Sequence, residues 1–252
     1  MIEIGHVSKS YDENIIIEDL SLSIPKGGIV SIIGANGAGK STLLTMISRL
    51  IPIDSGLITV DGMDVTKTPG EVFAKRLSIL RQDNNLTARL TVEDLVSFGR
   101  YPYSHGRLNK NDRQHIDSAI RYLGLDDFRT RFLDELSGGQ RQRAFVAMVI
   151  CQDTDYVLLD EPLNNLDMTH SVSMMKQLRK AADELGKTIV LVMHDINFAS
   201  CYSDLIVALK NGKLVYAAPP AEIMKPDVLK EIYDMDINVK EIDGKQIAVY
   251  YM

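Results

Sequence analysis

The stretch Gly34-Ala35-Asn36-Gly37-Ala38-Gly39-Lys40-Ser41 constrains this chain more than any other, because it sits between the apolar run Ile29-Val30-Ser31-Ile32-Ile33 and the helix-forming Thr42-Leu43-Leu44. It fits G-x-x-x-x-G-K-[ST] in the strand-to-helix context that gives the pattern chemical meaning. Glycines let a backbone wrap close to a polyphosphate, so that successive N–H groups and the positive end of the following helix point at the anion. In that reading Lys40 reaches the β and γ phosphates and the Ser41 hydroxyl ligates magnesium. A plain strand-turn-helix would explain the glycines, but not a lysine and a hydroxyl at those two positions.

The flanking sequence supplies further polar groups at strand ends. Ile2 to Val7 alternates, breaks at Lys9 to Asn14 and resumes at Ile15, which predicts a short antiparallel sheet beside the phosphate-loop strand. Tyr11 lies at the tip of its turn, where an aromatic either stacks on an adenine ring or is an ordinary half-exposed turn residue. Leu77 to Leu80 reads as a strand with Gln82 at its carboxyl end, the place where ligands bind in open α/β sheets. Tyr156 to Leu159 delivers Asp160 and Glu161 in the same way: Asp160 suits a magnesium partner, and Glu161 a proton acceptor for an attacking water. Asp167 follows within one loop length. Thr188 to Met193 ends at His194, placed to donate to a γ-phosphate. The other histidines, His6, His105, His115 and His170, show no metal-binding spacing.

From about Thr87 to Gln152 the pattern turns helical. Thr91 followed by Asp94 predicts a capping box, and Arg100 to Lys110, with Pro102 and Gly106, reads as a loop. Ser137-Gly138-Gly139-Gln140 then opens a densely apolar helix. A serine and two glycines there form either a second anion-binding terminus or a plain serine N-cap. The tail returns to strands, with hairpin turns at Asn211-Gly212 and Asp243-Gly244.

Net charge is -6 over 252 residues, so bulk electrostatics favours no nucleic-acid partner. Met1 to His6 lacks the features of a signal peptide, and apolar runs such as Phe145 to Ile150 fall far short of the roughly 18 residues of a membrane span. The expectation is a soluble chain whose two cysteines, Cys151 and Cys201, are small hydrophobes in a reducing cytosol.

Taken together, Gly34 to Thr42, Leu136-Ser137-Gly138-Gly139-Gln140 and Tyr156 to Pro162 resemble the nucleotide-binding subunits of ABC (ATP-binding cassette) transporters, over nearly the whole chain. The resemblance implies an α/β P-loop ATPase core with an antiparallel β-subdomain and an inserted α-helical subdomain. One domain would span 1–252, with the core at 1–86 and 153–252 and the helical part at 87–152. ATP would be held by Tyr11, Gly34, Asn36, Gly37, Ala38, Gly39, Lys40, Ser41 and Thr42, and from a second copy by Ser137, Gly138, Gly139, Gln140 and Asp167. Magnesium falls to Ser41, Gln82 and Asp160, and catalysis to Glu161, His194 and Gln82. Ala35, where many members carry proline, and Leu163-Asn164-Asn165, in place of a threonine-containing lead, depart from the pattern without removing a chemical group.

Within the family, Leu90 to Tyr103 and His194 to Ala199 are similar to the ATPases of iron-siderophore importers, and Asp160 to Met168 to the branch handling catecholate siderophores such as petrobactin. The implied partners are integral-membrane permease subunits, through them an extracytoplasmic substrate-binding protein, and a second copy of the ATPase; the implied location is peripheral, on the cytoplasmic face of the membrane. Non-transport relatives that act as mechanical clamps in DNA repair or translation usually carry a second cassette, a long coiled coil or basic extensions, and none is expected here. A binding module without turnover would not need both Glu161 and His194.

Overall fold

The computed structural model describes residues 1–82, 88–164 and 166–251. Thr87, at the expected start of the helical part, and Asn165 lie outside the described residues. In chain order, β1 (Ile2–Tyr11) and β2 (Asn14–Ile24) lead to β3 (Gly28–Ile33), a loop and α1 (Lys40–Ile47). Next come β4 (Ser55–Val60), β5 (Met63–Asp64), α2 (Gly70–Phe73) and β6 (Leu77–Leu80). A helical stretch follows: α3 (Val92–Ser97), α4 (Tyr101–Ser104), α5 (Lys110–Tyr122) and α6 (Gly138–Cys151). The remainder is β7 (Tyr156–Asp160), α7 (Met168–Leu185), β8 (Thr188–Val192), α8 (Ile196–Tyr202), β9 (Leu205–Lys210), β10 (Lys213–Ala218), α9 (Pro220–Ile223), α10 (Pro226–Tyr233), β11 (Asn238–Ile242) and β12 (Lys245–Val249). The chain forms two compact units, 1–68 with 188–252, and 69–187.

In the first unit β3 pairs in parallel with β8 and with β9, and β10 returns antiparallel to β9. Parallel strands covered on both faces read as continuous apolar runs, and Ile29, Val30, Ile32 and Ile33 are all buried, as are Leu43, Leu44, Met46 and Ile47 of α1. The N-terminal hairpin is not hydrogen-bonded to β3; it belongs to its own antiparallel sheet, in the order β2-β1-β4-β5. β1 does not end at Lys9, although its register shifts there. It stays paired as far as Tyr11↔Asn14, with register shifts after Ile4, Val7 and Lys9 and with His6 at φ 52. Lys9 takes an inward position because its ammonium donates to Asp54 Oδ1 at 2.6 Å. That hydrogen bond holds the Asp54 carboxyl below its ordinary range. A lysine on the buried face is what made the alternation look interrupted.

In the second unit β6 and β7 pair in parallel from Leu77↔Tyr156 to Leu80↔Leu159. Thr91 and Asp94 form the expected capping box at α3, and Asn109 with Asp112 forms another at α5. The segment after Arg100 is not simply a loop. Pro102 sits in the first turn of α4, where a missing N–H costs nothing, and the turn ends at His105 and Gly106, both left-handed. Arg100 is buried beneath it at 3% exposure. Its guanidinium donates to Asp112 Oδ1 at 3.1 Å and to the Cys151 carbonyl at 3.0 Å, and lies 4.0 Å from the Tyr103 ring centre. Cys151 is buried and its thiol is pushed up to about 12, chiefly by burial, whereas Cys201 is only half-buried; neither forms a disulfide. Among the described residues no helix is long and apolar enough to cross a membrane.

Removing one partner of a buried ion pair leaves the other charge uncompensated and costs about 3–5 kcal/mol. Asp112→Ala should therefore lower the unfolding free energy by about 3 kcal/mol or more in a urea titration; a loss under about 1 kcal/mol would show that water reaches Arg100 and compensates it.

Candidate functional site

The loop after β3 is shaped by three left-handed glycines that serve different ends. A Cβ on Gly34 (φ 142) would fall 2.1 Å from the Leu209 carbonyl oxygen, and one on Gly39 (φ 97) would fall 2.5 Å from Ile17 Cδ1. Those two permit close packing within the unit. Gly37 (φ 78) has nothing within 4 Å of an added Cβ, so its exposed backbone is open to an incoming group. Lys40 is only 5% exposed, and its ammonium donates back to the Gly34 and Ala35 carbonyls at 3.0 Å each. The cation thus braces the loop from inside. No side chain caps α1 and no acidic residue stands in its first turn, so its leading N–H groups suit an anion.

His194 reaches the same edge. β3 and β8 run in register to Ile32↔Val192, and the Met193 N–H donates to the Ile32 carbonyl at 3.0 Å, which carries the exposed His194 to the carboxyl end of the strand that feeds the loop. Asp195 fixes the next turn, accepting from the Asn197 and Phe198 N–H groups at 2.7 and 3.2 Å to cap α8. Tyr11, at the end of β1, is 49% exposed, with the Lys9 ammonium 5.3 Å from its ring centre.

In the second unit β7 is buried throughout and ends at Asp160, 5% exposed. Glu161 follows with φ 50, a left-handed conformation that costs a side-chain-bearing residue about 1–3 kcal/mol and clusters at functional sites. Parallel pairing with β6 sets Gln82 beside it. The Gln82 amide donates to Glu161 Oε2 at 2.8 Å, and Asn164 Nδ2 donates to the same oxygen at 3.3 Å. Ser137 caps α6 reciprocally with Gln140: its hydroxyl accepts from the Gln140 N–H at 3.3 Å, and Gln140 Oε1 accepts from the Ser137 N–H at 3.0 Å. Asp167 caps α7, accepting from the His170 N–H and from His170 Nδ1, both at 2.8 Å. These bonds, the backbone one first, hold the Asp167 carboxyl below its ordinary range.

The structure therefore brings together Gly34 to Thr42 and His194 in one unit, and Gln82 with Glu161 and Asp167 with His170 in the other. His170 and Asn164 escaped sequence reasoning. The spacing Asp167-x-x-His170 at a helix start was the available signal, an acidic N-cap with a hydrogen-bonding residue three positions on. Among the described residues no group of three or more His, Cys, Asp or Glu side chains is arranged to hold a metal ion. Ser41 in the first unit, and Gln82 and Asp160 in the second, each carry an oxygen donor of the kind a hard cation such as magnesium takes.

A braced glycine-rich loop between a buried parallel strand and an uncapped helix defines a P-loop nucleotide-binding protein. Residues 17–164 match the family described as ABC transporter. The chain is 57% identical to the petrobactin import ATP-binding protein YclP of Bacillus subtilis (strain 168), over 100% of each chain. It is 39% identical to the iron(3+)-hydroxamate import ATP-binding protein FhuC of the same organism, over 91% of this chain and 86% of that one. A solved dimeric ATP-binding cassette in a post-hydrolysis state, bound to ADP and Pi, is 28% identical with a TM-score of 0.78, covering 87% of this chain and 99% of that one. The chain belongs to the ABC transporter family, as an ATP-binding subunit of the kind that couples ATP hydrolysis to transport.

Lys40→Ala removes the brace on the loop and the ammonium that a phosphate bound there would meet. Nucleotide affinity should fall at least about tenfold, equivalent to about 1.4 kcal/mol, in a titration with a fluorescent ATP analogue; unchanged affinity would exclude Lys40 from the phosphate site.

Proposed function

We propose that this chain is the ATP-hydrolysing subunit of an importer for iron-siderophore complexes, of the petrobactin type, and that it works as a head-to-tail pair on the cytoplasmic face of the membrane. The end-to-end likeness to a petrobactin import ATP-binding protein carries the reading of the cargo. The likeness to a dimeric cassette holding ADP and Pi supports the paired state. A clamp in DNA repair or translation is not favoured beside these full-length import relatives.

On this reading Gly34 to Thr42 receive the phosphates and Tyr11 stacks on the adenine. Magnesium, held by Ser41, Asp160 and Gln82, would neutralise charge on the phosphate oxygens. A water oxygen bonds to the γ-phosphorus, the bond to the β–γ bridging oxygen breaks, and the Glu161 carboxylate takes the water's proton, leaving ADP and phosphate. His194 donates a hydrogen bond to γ-phosphate oxygens as charge develops there. Because one face of a nucleotide on the loop stays open, Ser137, Gly138, Gly139 and Gln140 of the second copy, with its Asp167, complete the site. Dimer closure and release would then move the permease subunits, which receive cargo from an extracytoplasmic binding protein.

Glu161→Gln should keep ATP affinity, lower turnover by about 100-fold or more, and accumulate an ATP-bound dimer on size exclusion. As the sole copy in cells it should also abolish uptake of labelled ferric petrobactin. Rapid turnover would remove Glu161 as the proton acceptor, and normal uptake would remove the cargo assignment. Ser137→Arg should leave ATP binding intact and abolish turnover; normal turnover would exclude the shared site.

A further inference from the structure

Gly139 is a glycine for a reason inside its own chain. Its φ lies outside the left-handed region, so the backbone alone would accept any residue. A Cβ there would nevertheless fall 2.9 Å from His170 Cδ2 and 3.0 Å from Cγ, contacts that real Cβ atoms avoid. The imidazole of α7 rests against bare backbone at the start of α6.

That ring is also tethered on its other side. Its Nδ1 lies 2.8 Å from Asp167 Oδ1, the same oxygen that accepts the His170 N–H. An aspartate ionised at neutral pH only accepts, so a 2.8 Å contact with it is a hydrogen bond only with the proton on Nδ1. One side chain joins the N-cap of α7 to the glycine turn of α6. One turn further along α6, Gln142 Nε2 donates to the Pro162 carbonyl at 3.0 Å, next to Glu161. A shift at the start of α6 would therefore be felt at the Glu161 segment too.

We propose that His170 is a positioning residue for turnover, holding Asp167 and the Ser137–Gly139 turn at one fixed separation so that both meet the second copy's nucleotide together. This rests on the paired reading given above. His170 touches neither nucleotide nor water in this role; it acts through Asp167 and Gly139, as supporting residues around an active site do.

The test is steady-state ATPase of the full chain with kcat and KM separated, alongside ATP affinity by titration. His170→Ala should lower kcat roughly tenfold with affinity held within about twofold. His170→Asn, whose amide can replace the Nδ1–H donor, should return kcat to within about threefold of the parent. Gly139→Ala should lower kcat by more than His170→Ala, and adding His170→Ala to it should raise turnover again, because the ring that excludes the Cβ is gone. Such a recovery cannot arise from poorer folding. If Gly139→Ala is impaired and the second change gives no recovery, or if Ala and Asn at 170 lose equally, the positioning role is overturned while the shared site stands. If Gly139→Ala turns over like the parent, the His170–Gly139 contact sets nothing and the positioning role is overturned, while the shared-site reading is judged by Ser137→Arg.

Discussion

Parallel pairing of β3 with β8 and β9 is the constraint on which the first unit depends. Parallel neighbours point their carboxyl ends the same way, so the residues that follow β3 and β8 emerge at one edge without any further instruction from the sequence. The apolar run that satisfies the pairing also excludes water from the strands, which leaves the edge as the place where polar groups can gather. Lys40 then bridges the change in environment. Its stem is buried in the unit, and its ammonium is met by two carbonyls of the loop it stabilises.

The same rule governs the other buried cations. Lys9 meets Asp54, Arg100 meets Asp112, and Lys187 meets Asp153 at 2.9 Å and the Thr154 carbonyl at 2.9 Å. Each positive charge withdrawn from water is answered by oxygen at hydrogen-bond distance, as burial requires. Arg100 shows what this arrangement does for architecture: by accepting a guanidinium at its terminal carbonyls, α6 is held at its far end, away from the glycine turn where it begins.

Much of this was legible in the sequence because it is local. The glycine-rich loop, the capping box at Thr91 and Asp94, the hairpin at Asn211-Gly212 and the carboxylates closing β7 all depend on residues a few positions apart. What escaped depends on long-range partners. Lys9 read as a break in β1 because Asp54 lies 45 positions away. Gln82 read as a strand-end ligand, with no hint of its bond to Glu161, 79 positions on. His170 read only as a histidine without metal-binding spacing, since neither its bond to Asp167 nor its contact with Gly139 leaves a periodic trace. The segment 101–104 read as loop because proline at a helix's first turn and proline in a loop look alike without the fold around them.

Glu161 is positioned by its neighbours before any nucleotide arrives. Its Oε2 already accepts from the Gln82 and Asn164 amides, and its backbone is held at φ 50 by the loop in which it sits. On the proposed role this matters for basicity: two amide donors on one carboxylate oxygen favour the ionised form, so the readiness of Glu161 to take a proton would depend on whether Gln82 and Asn164 keep their places.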